Sequence, residues 1–187
     1  MISTEIEEKL HKNRIIVIDT DVNDTMASEV MKRLLAMDDD GHQPIKLYIN
    51  SPGGSVTSGW QIIDTMNSIR SQVITINTGL CASMGAVILS SGSKRMSLPH
   101  ARVMIHQVSS GASGKVFDMR AAFEETETVN RITMTELARN CGKTYDELIG
   151  MTNVDKWMSA EEAVEFGIVD EITGNAERKA WKEKEAA

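Results

Sequence analysis

Ser83 stands in the run Gly79-Leu80-Cys81-Ala82-Ser83-Met84-Gly85-Ala86, between the apolar residues 73–76 and a helix-like stretch, residues 84–89. A strand that turns sharply into a helix holds a hydroxyl in the open with backbone N–H groups beside it. That placement turns a serine into a nucleophile. Small neighbours let the turn close and let a substrate backbone come near. A second small-residue turn, Ser51-Pro52-Gly53-Gly54, follows the strand-like residues 45–50. Ligands gather at the carboxyl ends of parallel strands, so this turn and Ser83 are expected to share one rim. The N–H of Gly54, joined by that of Met84, would form a two-donor oxyanion hole. A phosphate-binding glycine loop fits less well, because the turn holds no Lys or Arg and no Walker-type Gly-Lys-Ser/Thr.

A nucleophilic serine needs a base, and there are four histidines. His11, His42 and His100 lie in polar, loop-like surroundings, whereas His106 ends the apolar run Val103-Met104-Ile105. On the same sheet as Ser83, His106 is the candidate base. A carboxylate beside it would fix the imidazole tautomer and stabilise the imidazolium. Asp155, in Val154-Asp155-Lys156-Trp157-Met158, is flanked by apolar residues, but spacing alone does not choose it over Asp118 or Asp170. Cys81 and Cys141 have no metal-ligand spacing and make no disulfide framework. No metal or organic cofactor is implied.

These groups must be positioned by alternating elements. Residues 14–19, 45–50 and 72–77 read as short buried strands, and residues 24–37, 56–69 and 84–89 as helices between and after them. Such alternation argues for parallel strands with crossover helices, an α/β fold. Residues 94–98 and 102–107 read as a pair of short strands joined around Pro99-His100. Residues 109–114 are small and polar. Residues 117–140 form a long helix with Phe123, Val129, Ile132 and Leu137 on its apolar side, stopped by Gly142. A short helix begins at Thr144, Ser159-Ala160-Glu161-Glu162 resembles a capping box, and residues 168–170 read as a last strand. One domain over residues 1–175 is expected, with a charged tail over 176–187.

The chain has 187 residues, a net charge of −7 and 41% hydrophobic residues, including 12 methionines and few aromatics. Its acidity argues against nucleic acid as the principal ligand. No apolar run approaches the length of about 18–20 residues that a membrane span needs. The acidic amino terminus has no signal-like segment, so the expected compartment is the cytoplasm.

Five motifs, in order, resemble those of the ClpP family, the proteolytic subunit of the Clp protease. They are Leu47-Tyr48-Ile49-Asn50-Ser51-Pro52-Gly53-Gly54-Ser55-Val56, Ala82-Ser83-Met84-Gly85, Leu98-Pro99, Met104-Ile105-His106-Gln107 and Met158-Ser159-Ala160-Glu161-Glu162-Ala163. The resemblance covers about residues 14–172. It implies the spiral ββα fold shared with the crotonase superfamily, with a projecting handle helix, and a serine endopeptidase acting on peptides or unfolded chains. By motif, Ser83 matches the nucleophile, His106 the base and Asp155 the acid, while Gly54 and Met84 fall on the oxyanion-hole amides. The resemblance places Ser55, Val56, Ser109 and Gly111 in the substrate-binding region. Residues 109–116 fall on a handle strand and 117–140 on the handle helix, through which two homo-heptameric rings stack into a tetradecamer.

The chain also departs from the pattern. Family members usually begin with some twenty more residues that form axial loops, so dependence on an AAA+ unfoldase of the Clp type is expected to be weak. Val108 follows His-Gln where the family has Pro, and Val154 stands where an arginine commonly pairs across rings. Alternatives to the cellular peptidase are a phage capsid-maturation protease of the same type, a crotonase-type acyl-CoA enzyme and an inactive ring scaffold.

Overall fold

The computed structural model describes residues 4–174. A helix that the periodicity does not announce, α1 (Thr4–Lys12), precedes β1 (Ile15–Ile18). It buries none of its own residues, and its Glu7 pairs with Arg33 at 2.6 Å. The alternation then follows as expected: α2 (Asp24–Asp39), β2 (Ile45–Ser51), α3 (Val56–Ser68), β3 (Val73–Ala82) and α4 (Met84–Ser90). β1 pairs with β2 and β2 with β3, both parallel. Helices α2 and α3 turn Val30, Leu34, Met37, Ile62, Ile63 and Met66 into one core. β1 is an edge strand rather than a fully buried one: Ile16 and Ile18 face the core while Val17 faces out.

β3 runs past Asn77, where the sequence suggests its end, to Ala82. The ladder does break there, with Ile49 opposite Asn77 but Ser51 opposite Cys81. Side-chain amides bridge the gap. The Gly79 N–H donates to Asn77 Oδ1 at 3.2 Å, and the Leu80 N–H to Asn50 Oδ1 at 2.9 Å. The long strand thereby takes two short ones along one side. β4 (Lys94–Ser97) lies beside residues 74–77 and β5 (Arg102–Ile105) beside residues 80–82, both parallel to β3. They run in the same direction and do not pair with each other across Pro99-His100.

Beyond β5 come α5 (Val116–Asn140), α6 (Tyr145–Met151), β6 (Lys156–Met158), α7 (Ala160–Phe166) and β7 (Glu171–Ile172). β6 is antiparallel to β5, and β7 is parallel to β4. Capping boxes start α6 at Thr144 and α7 at Ser159, the latter as expected. The last strand lies at residues 171–172 rather than 168–170. Ile168 and Val169 are apolar because they fill the core, and Asp170 is held by Arg95 through its N–H and carboxylate.

α5 is the projecting helix, but its apolar residues do not make one buried stripe. Only Thr133, Met134, Leu137 and Ala138 are buried, while Phe117, Phe123 and Ile132 are exposed. Residues 109–115 form no strand in the single chain; the Lys115 carbonyl accepts from the Met119 N–H at 3.0 Å as α5 begins. Residues 176–187, read as a charged tail, lie outside the described residues. At the far end of the sheet, Arg14 donates to the Met37 carbonyl at 2.6 Å and to Ser71 Oγ at 2.9 Å. Ser71 in turn donates its N–H and hydroxyl to Asp38 Oδ1, each at 2.8 Å.

Candidate active site

Ser83 sits between the end of β3 and the start of α4 with φ 52° and ψ −123°, a conformation that L-residues rarely adopt. The backbone is pinned on both sides. The Ser83 N–H donates to the Met104 carbonyl at 2.9 Å, and the Ser83 carbonyl accepts from the Ala86 N–H at 2.9 Å. A serine at a helix N-cap normally turns its hydroxyl back on the helix. Here it makes no such cap, and Oγ lies 2.8 Å from His106 Nε2.

Strand register brings the histidine there. Ala82 pairs with Met104, so the residue just past β5 lies over the tip of β3. The same logic extends to Asp155. In the antiparallel β5–β6 ladder Val103 faces Met158 and Ile105 faces Lys156, which sets Asp155 opposite His106. Asp155 Oδ1 is 3.7 Å from His106 Nδ1, an ion-pair distance beyond hydrogen-bond range. Asp155 is more exposed than its apolar flanks suggest: its side chain is 59% accessible, and Val154 and Trp157 also face out.

The other two aspartates lie elsewhere. Asp118 is exposed in the first turn of α5. Asp170 is engaged by Arg95; desolvation opposes ionisation, yet the Arg95 hydrogen bonds and charge hold its carboxyl below the ordinary value. Two further histidines also have carboxylate partners, His11 at Asp40 and His42 at Asp38.

The glycine turn closes the other side of the tip. The Val22 N–H donates to the Gly53 carbonyl and the Ser55 N–H to the Val22 carbonyl, both at 2.8 Å, so the intervening Gly54 N–H points away from Val22. A side chain at Gly54, where φ is 146°, would collide with the Val22 carbonyl at 2.3 Å. One at Gly53, where φ is 94°, would meet Ser83 Cβ at 2.7 Å and Met84 N at 2.9 Å. Only glycines allow this approach. The Met84 N–H is the first of its helix and has no intrahelical acceptor.

A cleft of about 60 Å³ joins Gly54, Ser83, Met84 and His106. Val56 and Ser109 line it, as the sequence suggests for substrate contact. Gly111 does not line it, and the Ser55 hydroxyl caps α3, accepting from the Ser58 N–H and hydroxyl. Its far wall, Thr133, Met134 and Leu137, comes from α5 and was not picked out from sequence as a site. Helical spacing marked Leu137 as core, but nothing in one chain's pattern shows that this turn faces the serine. Polar contacts brace the segment after His106. The Val108 N–H donates to Asn130 Oδ1 at 2.9 Å, and Gln107 Nε2 reaches the Thr152 carbonyl at 3.5 Å.

Among the described residues, no three His, Cys, Asp or Glu side chains gather as metal ligands. No helix among them is long and apolar enough to cross a membrane. A strained serine facing a histidine, beside two outward amides and a cleft of mixed polar and apolar lining, is the equipment of acyl transfer. The family model for Clp protease matches residues 2–176, across the whole of this architecture, and the chain therefore belongs to the Clp protease family.

Proposed function

We propose that Ser83, His106 and Asp155 form the catalytic triad of a ClpP-type serine endopeptidase. Membership of the family implies a serine peptidase; the observation that carries the assignment of residues is the 2.8 Å contact between Ser83 Oγ and His106 Nε2 at a backbone turn held in a strained conformation. As the hydroxyl attacks the peptide carbonyl, His106 takes its proton at Nε2. The oxyanion of the tetrahedral intermediate accepts hydrogen bonds from the Gly54 and Met84 N–H groups, which the glycine turn and the helix start hold ready. His106 then returns the proton to the leaving amine, and the acyl group stays on Ser83. Water, deprotonated by the same imidazole, releases the acid and restores the serine. Asp155 orients Nδ1 and stabilises the imidazolium, which requires the 3.7 Å gap to shorten when substrate is bound.

Peptides or unfolded chains are the substrates this cleft suits, and rings of the chain are the assembly that fits the family. The exposed apolar residues Val116, Phe117 and Phe123 on α5 support contact between copies. The test of the reaction is direct. A fluorophosphonate probe should label Ser83 in the wild-type chain and fail to label Ser83→Ala. Short fluorogenic peptides should be hydrolysed only by the former. Equal hydrolysis by a clean Ser83→Ala preparation would discard the mechanism.

A further inference from the structure

We infer that the cleft beside Ser83 selects a substrate side chain with an aliphatic stem and a neutral hydrogen-bonding end, glutamine above all, and that Thr133 reads that end. The inference rests on the peptidase assignment above and names its substrate preference. Thr133 lines the cleft and is 5% exposed, yet its Oγ1 is enclosed without a hydrogen-bond partner. Other threonines of α5 do not leave their hydroxyls so. Thr126 donates to the Ala122 carbonyl at 2.8 Å and Thr128 to the Glu124 carbonyl at 2.9 Å, each one turn back. Thr133 forgoes that contact.

A buried polar atom without a partner is costly, and natural structures leave few of them. One on the wall of a substrate cleft acquires its partner when the cleft fills. Much of the wall around it is apolar, from Val56, Met84, Val87, Ile105, Met134 and Leu137, with Gln107 and Ser109 as further neutral polar side chains. The apolar part suits a methylene stem. No acidic or basic side chain lines the cleft apart from His106, whose ring faces Ser83. A charged end would therefore be desolvated without a counter-ion. A wholly apolar end would fill the space but leave the enclosed Thr133 hydroxyl unpaired. A hydroxyl both donates and accepts, so it meets either side of a carboxamide.

The test uses the full chain and two fluorogenic peptides that differ only in the residue preceding the scissile bond, glutamine or the near-isosteric methionine. The readout is the ratio of their kcat/KM values in the wild type, Thr133→Val and Thr133→Ser. Valine keeps the shape and removes the hydroxyl; serine keeps the hydroxyl. One neutral hydrogen bond predicts that the glutamine-to-methionine ratio falls about threefold to tenfold in Thr133→Val and is retained in Thr133→Ser. An unchanged ratio in Thr133→Val, with Ser83 still labelled and the methionine peptide still cut, overturns the inference and leaves the peptidase assignment standing. Loss of both labelling and cleavage in the wild type would remove the assignment itself, and the inference with it. Should Thr133→Val fail to fold, the wild type decides alone: a glutamine-to-methionine ratio above one supports the inference, and a ratio below one, with methionine cut faster, overturns it.

Discussion

At Ser83 the backbone torsion and the side-chain contact make opposite demands on stability. A φ of 52° in a serine costs about 1–3 kcal/mol, held by the bonds to Met104 and Ala86. Ser83→Ala keeps the strain and removes the nucleophile, whereas Ser83→Gly removes both. Both variants should lose peptide hydrolysis, and Ser83→Gly should melt above Ser83→Ala despite glycine's greater freedom in the unfolded chain. A reversed order of the two melting temperatures would mean that the turn is not strained. Asp155 offers a second contrast. Asp155→Asn should lower kcat about 100-fold or more by favouring the wrong tautomer. Asp170→Asn should lower the melting temperature, because it empties the Arg95 clamp, and leave kcat close to wild type. Ser83 was legible in the sequence because it follows an apolar run among small residues, and His106 because, of the four histidines, it ends an apolar run. Asp155 was ambiguous because its position depends on the β5–β6 register, which no local pattern encodes. Thr133 was hidden for a different reason: a polar residue in an amphipathic helix reads as solvent-facing, and only the fold shows that its neighbour is a cleft.

The elements that departed from sequence expectation did so where a long-range partner overrode local pattern. Thr78-Gly79 looks like the end of a strand, yet the amides of Asn50 and Asn77 carry β3 across it. β6 is three residues long and exists because β5 offers it a ladder. The alternation of β1 to α4 was legible because each element carries its own period. The knot of Arg14, Ser71 and Asp38 makes an element-scale prediction about pH. Hydrogen bonds from the Ser71 hydroxyl, and after the opposing desolvation from the Ser71 N–H, lower the Asp38 pKa to about 2. A carboxylate with a depressed folded-state pKa lends stability that is present above its unfolded value, near 4, and is lost as pH falls towards 2. Asp170, lowered as well, adds to the same acid limb. Ser71→Ala should therefore flatten the fall in melting temperature between pH 4 and 2, with little effect on the slope above pH 5. An unaltered acid limb would show that the knot does not hold Asp38 ionised.

For the molecule as a whole, the exposed apolar surface is concentrated on α5, where Phe117 is 82% and Phe123 is 62% accessible. Such a surface seeks cover. The chain should sediment as an oligomer at micromolar concentration, and Phe117→Glu with Phe123→Glu should shift it towards smaller species while leaving the circular dichroism of the subunit intact. A wild type that is only monomeric would separate this chain from ring-forming relatives. The antiparallel pairing of β6 on an otherwise parallel sheet has one more consequence, for the order in which the protein is made and matures. Ser83 and His106 are 23 residues apart in sequence, whereas Asp155 reaches them only after α5 and α6 have been laid down and the chain has doubled back along β5. Contacts that close long loops form late. During refolding from denaturant, β1 to α4 can assemble before the acid arrives, so far-ultraviolet ellipticity should recover ahead of Ser83 reactivity towards a fluorophosphonate. A nascent chain that has not yet folded β6 would thus be shaped like a hydrolase and chemically silent, a built-in delay between acquiring a fold and acquiring the power to cut.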